Sequence, residues 1–177
     1  PYRKLSVCAS NYVASVMEGR RIELKRLPLI IGGDSVIGSA LGKSWREEGI
    51  LCHASTRRYI SSDPNIPFID LCKGSRYPNC SPYCSIVFCA GITSNRACEA
   101  SQEKSRETNV TRPIVLAERL SQQGKFFLFL STAQVFDGEE ANRAPSDPVG
   151  PVTLYGEQKV EVEQRILGLS HTAVLRL

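Results

Sequence analysis

The sequence predicts an α/β protein built on a doubly wound parallel sheet with helices on both faces. Short apolar runs alternate along the chain with segments of helical period, which is the pattern of repeated strand–helix–strand units. The apolar runs are continuous rather than alternating with polar residues, as expected for strands that helices cover on both faces. Because connections between such strands are right-handed, the units wind into one sheet.

Strand candidates begin at residue 27 and are short apolar runs bounded by glycine, proline or polar residues. They cover residues 29–31, 50–55, 67–70, 85–90, 125–131 and 172–177. Apolar residues at helical spacing predict helices around Val36–Trp45 (ended by Gly49), around 110–120 and over 155–169. Residues 73–82 are predicted to be loop. We expect a nucleotide-binding domain over 27–177 and an N-terminal extension of open role over 1–26.

Composition indicates one globular domain that spans no membrane. A chain of 177 residues, 42% hydrophobic and 23% charged, can form a single core. No apolar run approaches the roughly 20 residues of a membrane span. Residues 1–26 lack the apolar stretch of a secretory signal, so we expect a cytoplasmic protein. The net charge of +4 is dispersed, which favours an ordinary solvated surface over a nucleic-acid-binding stripe.

The cysteines raise the question of a metal site or disulfides. Their number, seven, is odd, no two Cys-x-x-Cys pairs occur, and the chain has two histidines. Cys80 and Cys84 make at best half a zinc site. We therefore expect reduced structural thiols and no metal. The cysteines are Cys8, Cys52, Cys72, Cys80, Cys84, Cys89 and Cys98.

A glycine-rich loop, residues 32–38 (Gly-Gly-Asp-Ser-Val-Ile-Gly), joins the first strand to the first helix. Glycine allows the tight turn and the close approach of helix and sheet, and N–H groups at the helix start can face a pyrophosphate. Ser35 stands where the usual pattern has glycine. The alternative is a turn that uses glycine structurally. The predicted pyrophosphate contacts are Gly32, Ser35, Val36, Ile37 and Gly38.

The end of the second strand predicts the cofactor type. An NAD site places a carboxylate there to hold the ribose 2′-hydroxyl. Here residues 55–58 read Ser-Thr-Arg-Arg, and no acid follows until Asp63. An arginine can instead hold a 2′-phosphate with paired hydrogen bonds. Arg57 therefore favours NADP(H) over NAD(H), unless both arginines merely face solvent.

Tyr155 and Lys159 are one helical turn apart, and Thr132 follows the fifth strand candidate at the sheet edge where ligands bind. A hydroxyl, a phenol and an ammonium so arranged form a carbonyl-reduction site. We expect the Lys159 ammonium, with an oxidised nicotinamide, to lower the pKa of Tyr155 from about 10 towards about 7. The alternative is an ordinary pair on a helix surface.

Three segments make the chain resemble a known family. Residues 130–138 (Leu-Ser-Thr-Ala-Gln-Val-Phe-Asp-Gly) are similar to the Ser-Thr-Asp-Tyr-Val-Phe-Asp-Gly block of the dTDP-4-dehydrorhamnose reductase type. Residues 109–117 resemble its Asn-x-x-x-Pro-x-x-Leu-Ala helix, and residues 155–163 its Tyr-Gly-x-x-Lys-x-x-x-Glu. The chain is thus identified, over about residues 28–177, as a member of the extended short-chain dehydrogenase/reductases.

The resemblance implies a Rossmann-like fold, a nicotinamide dinucleotide and a nucleotide-linked keto-sugar substrate. It gives Thr132 the role of carbonyl-polarising hydroxyl, Tyr155 that of proton donor, and Lys159 that of cofactor anchor and partner of the tyrosine. Tyr155 and Lys159 are thus also cofactor contacts. The implied contacts to the cofactor adenine and ribose are Asp70, Leu71, Ala90 and Gly91.

Two departures leave alternatives open. Ala133 and Gln134 replace the family's Asp-Tyr, whose tyrosine helps to hold the sugar. Family members are also roughly twice as long as one domain of about 150 residues, so we expect their C-terminal substrate-binding part to be missing here. The chain is then part of a reductase or of an epimerase/dehydratase relative. Alternatively it is a non-catalytic regulatory module or an inactive fragment; a homodimer is a possible assembly.

Overall fold

Five parallel strands form one sheet in the computed structural model, which describes residues 27–72 and 78–177. The elements are β1 Leu27–Ile31, α1 Val36–Glu47, β2 His53–Ala54, β3 Tyr83–Phe88, α2 Asn95–Ala100, α3 Gln102–Arg106, α4 Arg112–Gln122, β4 Phe126–Ser131, α5 Leu154–Ile166 and β5 Thr172–Arg176. The strand order in the sheet is β2-β1-β3-β4-β5. A π-helical turn, Glu107–Thr111, joins α3 to α4, and a 3₁₀ turn, Ala133–Val135, follows β4.

Helices cover both faces of this sheet. One face carries Phe88, Phe127 and Phe129, which form one buried cluster with apolar residues of α4 and α5. The Phe88 ring centre lies 5.9 Å from that of Phe127 and 6.1 Å from that of Phe129. On the other face, α1 packs its Gly42 against Ile30. The predicted doubly wound α/β fold is confirmed.

Two predicted strands are shorter than the sequence indicates. The run 50–55 forms only the two-residue strand β2, because β2 pairs with β1 at just two positions and Leu51 is exposed. The run 67–70 contributes a single parallel bridge between Phe68 and Thr56. Pro67 has no N–H for a ladder and offers Thr56 only its carbonyl oxygen, at 3.0 Å.

Helix α1 exists as predicted, but its apolar stripe is not its buried side. Val36 is 88% exposed, whereas Gly38 and Gly42 are the buried residues. A Cβ on Gly38 would collide with the carbonyl oxygen of Gly32, so only glycine fits there, whereas a Cβ on Gly42 would lie at an ordinary 3.5 Å from Ile30. The spacing of Val36 and Ile37 therefore predicted the right element and the wrong face.

The predicted extension over residues 1–26 and the segment 73–77 of the predicted loop lie outside the described residues. Residues 78–82 contain no helix or strand, as the loop prediction requires. Within 27–72 and 78–177, no helix is both long and apolar enough to cross a bilayer.

Candidate functional site

The β1–α1 junction forms the glycine turn that the sequence predicts. Gly32 has a φ of +86°, and a Cβ added there would lie 2.6 Å from the backbone nitrogen of Ala90. A Cβ on Gly38 would collide with the carbonyl oxygen of Gly32. Ser35 replaces the usual glycine without strain, because its φ is −74°. The two glycines thus permit the tight turn and the close approach of the helix start to the end of β1 that a phosphate-binding loop requires.

Ser35 is also the N-cap of α1. Its Oγ accepts a hydrogen bond of 3.0 Å from the N–H of Gly38. The first intrahelical bond runs from Ser39 N to Ser35 O, at 2.9 Å. The N–H groups of Val36 and Ile37 precede that bond and have no acceptor in the helix, so they can receive an anion.

A cavity of about 200 Å³ opens beside this turn, between the ends of β1, β2 and β3. Asp70 lies next to it and closes a turn, since its Oδ1 accepts from the N–H of Cys72 at 2.9 Å. Val36, Ile37 and Gly38 are not among the residues that line the cavity. Six predicted cofactor contacts do line it: Gly32, Ser35, Arg57, Leu71, Ala90 and Gly91.

Seven residues that line the cavity were not predicted, and three of them, Asp34, Ser55 and Arg58, lie at the glycine turn or the end of β2. Ser55 accepts a hydrogen bond of 3.0 Å from the N–H of Gly32, which joins the end of β2 to the glycine turn. Asp34 accepts from the Thr56 hydroxyl at 2.7 Å and from the N–H of Arg57 at 3.1 Å. The sequence pattern of an NAD site places the carboxylate after the second strand, and Asp34 precedes that strand in the chain. The pattern therefore does not reveal that the glycine loop brings the Asp34 carboxylate to the end of β2.

The second group of predicted residues lies further along the same sheet edge. Thr132 follows β4, and its Oγ1 caps the short turn that follows by accepting from the N–H of Gln134 at 3.3 Å. Tyr155 and Lys159 lie on α5, which begins at its N-cap Thr153. The Lys159 Nζ donates a hydrogen bond of 2.7 Å to the carbonyl oxygen of Leu130, which lies near the end of β4, two residues before Thr132.

Close backbone packing holds α5 against the turn after β4. A Cβ on Gly156 would collide with the carbonyl oxygen of Gln134, so glycine is required where the helix passes the turn. The Thr153 hydroxyl accepts from the N–H of Gly156 at 3.1 Å and donates to the Gln134 Oε1 at 3.3 Å. Tyr155 and Thr132 are thereby fixed on neighbouring elements.

Asn109, in the π-helical turn, links the cavity to α5. Its Oδ1 accepts from the N–H of Ile92 at 2.8 Å, and its Nδ2 donates to the Ile92 carbonyl at 2.9 Å. The same Nδ2 donates to the Oε1 of Gln158 at 2.8 Å. Asn109 is 1% exposed, so water does not compete for these hydrogen bonds. They hold the loop after β3 against α5, the helix that carries Tyr155.

Burial dominates the electrostatics of the tyrosine–lysine pair. Lys159 is 3% exposed, and this burial lowers the pKa of its ammonium to about 8, against the opposing effects of Glu163 and Cys89. Burial, reinforced by Cys98, raises the pKa of Tyr155 to about 12. Burial therefore dominates the pKa of Tyr155, and the expected pKa of about 7, which also rests on the charge of an oxidised nicotinamide, stays a prediction. The ammonium is directed to the Leu130 carbonyl and lies 4.1 Å from the Phe129 ring centre.

The described cysteines carry free thiols, and no group of three His, Cys, Asp or Glu side chains within 27–72 and 78–177 could hold a metal ion. Burial raises the pKa of Cys80 to about 11 and that of Cys89 to about 12. Both side chains are therefore protonated at neutral pH. Cys8 lies outside the described residues.

A parallel sheet of this order, with a glycine turn and a cavity at its carboxyl edge, defines a Rossmann-like domain. Residues 26–177 match the family model described as the RmlD substrate binding domain. The chain belongs to this family, one of the extended short-chain dehydrogenase/reductases, as its sequence motifs predicted.

Two kinds of curated relative are similar to the chain. A methionine adenosyltransferase 2 subunit beta of Danio rerio is 28% identical over 145 residues, which are 80% of this chain and 44% of that protein. A probable low-salt glycan biosynthesis reductase, Agl14, of Haloferax volcanii is 27% identical over 157 residues, 84% of this chain and 51% of that protein. The chain thus spans about half the length of the curated relatives it matches.

Solved structures share the fold. A hypothetical dTDP-4-dehydrorhamnose reductase from Sulfolobus tokodaii has a TM-score of 0.70 at 21% identity, with 85% of this chain and 55% of that chain covered. MoeE5, in complex with UDP-glucose and NAD, has a TM-score of 0.68 at 21% identity, covering 85% and 52%. The Bacillus anthracis dTDP-4-dehydrorhamnose reductase, in complex with NADP, has a TM-score of 0.67 at 18% identity, covering 84% and 52%.

Proposed function

We propose that the chain is the nucleotide-binding part of an NADP(H)-dependent reductase, or of an epimerase/dehydratase relative, that acts on a nucleotide-linked keto-sugar. One observation carries the proposal: the Lys159 Nζ bonds the Leu130 carbonyl at 2.7 Å, so α5 holds Tyr155 and Lys159 beside the β4 end that bears Thr132. The family membership and a relative named as a glycan biosynthesis reductase support it.

The residues fit a nicotinamide dinucleotide. A Cβ on Gly32 would collide with Ala90 and one on Gly38 with the Gly32 carbonyl oxygen, so the two glycines keep the tight turn, and the free N–H groups at the start of α1 would bind the pyrophosphate. The adjoining cavity offers guanidinium groups of Arg57 and Arg58 to a phosphate and apolar Leu71 to an adenine. When bound, the dinucleotide supplies the hydride.

We assign three roles to the protein's own groups. The Thr132 hydroxyl hydrogen-bonds the substrate carbonyl oxygen. The Tyr155 phenol gives its proton to that oxygen, and its raised pKa keeps it protonated, and so able to donate, at neutral pH. The Lys159 ammonium holds the cofactor ribose and stabilises the phenolate that the tyrosine becomes.

We infer a preference for NADPH over NADH from Arg57 and Arg58, which line the adenosine-side cavity. Structural neighbours support either dinucleotide, since one is a complex with NAD and another a complex with NADP. The test is calorimetric titration of the full-length protein with both reduced cofactors. Arg57→Ala should remove most of the preference, whereas Arg46→Ala, at the far end of α1, should leave it unchanged. Equal affinities in the wild type, or a preference for NADH, would refute this assignment.

A second candidate is a regulatory dinucleotide-binding module. Gln134 favours it, because this exposed amide stands where the family has the sugar-holding tyrosine, and a methionine adenosyltransferase 2 subunit beta is among the relatives. Oxidation of NADPH by the full-length protein with a panel of nucleotide-linked 4-keto sugars separates the two. Turnover supports the reductase; tight NADPH binding without turnover of any sugar supports the module.

A further inference from the structure

We propose that Asp34, in the glycine turn, is the residue that sets how strongly the site discriminates between NADPH and NADH. The inference rests on the proposed dinucleotide binding. The Asp34 Oδ2 accepts from the Thr56 hydroxyl at 2.7 Å and from the N–H of Arg57 at 3.1 Å. These two bonds fix a carboxylate at the end of β2, where a parallel α/β sheet receives the ribose 2′ substituent.

The three other candidates for that position are neutral or opposite in charge. The Ser55 hydroxyl, at the end of β2, accepts the N–H of Gly32 at 3.0 Å and carries no charge with which to repel a 2′-phosphate. Arg57 and Arg58 are cationic. Asp34 is thus the anionic group among the residues that line the cavity.

The Asp34 carboxylate can both accept a hydrogen bond from a 2′-hydroxyl and repel a 2′-phosphate. Thr56 and the Arg57 N–H both bond Oδ2, which leaves Oδ1 to accept a ribose 2′-hydroxyl. The same carboxylate repels a 2′-phosphate and offsets part of the attraction of the arginines. The Nε of Arg58 lies 3.8 Å from Oδ2, but Arg58 is 71% exposed and neutralises the carboxylate only weakly.

The glycine turn explains why this carboxylate reaches β2. A Cβ on Gly33 would lie 2.8 Å from the Cβ of Ala54 and 2.8 Å from the carbonyl oxygen of Ser55. The turn therefore packs directly on β2, and its next residue, Asp34, extends past the strand end. A carboxylate from the loop takes the position that an acid on the second strand has in an NAD site.

The test is Asp34→Asn in the full-length protein. Asparagine keeps an oxygen for Thr56 and the Arg57 N–H, removes the charge and replaces the acceptor Oδ1 by an amide NH2 donor. We expect the ratio of NADPH affinity to NADH affinity to rise about tenfold or more. Glu47→Gln removes one charge at the other end of α1 and should leave the ratio within about twofold of the wild type.

A second pair of probes isolates the 2′ position. Titration with 2′,5′-ADP and 5′-AMP, which differ only in the 2′-phosphate, should show the same rise in ratio for Asp34→Asn and, should that variant fold poorly, for Asp34→Ser. An unchanged ratio with dinucleotide binding intact would overturn the role of Asp34 alone. Failure of the wild type to bind either dinucleotide would overturn the proposed function and this inference together.

Discussion

Lys159 donates a hydrogen bond of 2.7 Å from its Nζ to the carbonyl oxygen of Leu130 and so ties α5 to the carboxyl end of β4. The ammonium is almost fully withdrawn from water and lies between the ring of Phe129, at 4.1 Å, and that of Tyr155, at 5.6 Å. One residue therefore carries both a structural link and a buried charge.

The lowered pKa of Lys159 predicts a pH dependence of stability. Between about pH 8 and pH 10.5 the unfolded chain binds a proton at this lysine that the folded protein has lost, so the free energy of unfolding rises with pH. Relative to Lys159→Met, the wild type should gain about 3 kcal/mol between pH 7 and pH 10.5. Urea unfolding of both proteins across this range measures it.

The comparison with Lys159→Met cancels the titration of groups that both proteins share. Lys43→Met, which removes an exposed lysine of α1, is the matched control for the loss of one lysine charge. A gap between wild type and Lys159→Met that stays constant from pH 7 to pH 10.5 would show that Lys159 titrates normally.

Tyr155→Phe should separate catalysis from cofactor binding. The variant loses the proton donor but keeps the buried ring, so NADPH affinity should stay within about twofold. Turnover of a keto-sugar should fall about 10²- to 10⁴-fold, as for loss of a general acid. Steady-state kinetics and calorimetry on the full-length protein measure the two effects. Tyr83→Phe, a second buried tyrosine, should leave turnover unchanged. Wild-type turnover in Tyr155→Phe would favour the regulatory module.

Continuous apolar runs made the fold predictable, because a buried parallel strand such as β3 or β4 needs apolar residues on both faces. The same rule failed at β2. Its run 50–55 (Ile-Leu-Cys-His-Ala-Ser) is also mostly apolar, but only two of its residues pair with β1, and pairing depends on neighbours that are distant in sequence. Periodicity therefore predicted which elements exist better than where they end.

Sequence reasoning predicted the contacts that depend on local spacing and missed those made between distant segments. Tyr155 and Lys159 are four residues apart, so their common face follows from helix geometry. Asp34 and Thr56 are 22 residues apart in the sequence, and Asn109 and Gln158 are 49 apart. No local sequence pattern therefore predicts either contact. The burial that raises the pKa of Tyr155 likewise comes from packing between elements, so the spacing of Tyr155 and Lys159 does not reveal it.

Cys89 predicts an alkaline loss of stability, opposite in sign to the effect of Lys159. Burial raises its pKa to about 12, so above about pH 9 the unfolded chain releases a thiol proton that the folded protein retains. Relative to Cys89→Ala, the wild type should lose about 2 kcal/mol between pH 8 and pH 10.5. Unfolding curves at both pH values test this, and an unchanged difference would indicate an exposed thiol.

The Glu163–Arg176 pair should be the costliest ion pair to break among the described residues. Glu163 is 2% exposed, and the Arg176 guanidinium holds its Oε2 at 2.6 Å from Nη2 and at 3.1 Å from Nε. Arg176 also donates to the Pro145 carbonyl at 3.0 Å and thus joins β5, α5 and the loop after β4. Arg176→Met leaves the buried carboxylate unpaired and should cost about 3 kcal/mol or more of unfolding free energy.

The double variant Arg176→Met/Glu163→Gln distinguishes this cause from lost packing. With the carboxylate neutralised, most of the cost of Arg176→Met should be recovered, because an uncompensated buried charge is its main source. The exposed pair Arg106–Glu161 is the matched control, and Arg106→Met should cost no more than about 1 kcal/mol. Urea unfolding of the full-length protein measures all three. Equal losses in the single and double variants would show that Arg176 stabilises the fold by packing rather than by charge.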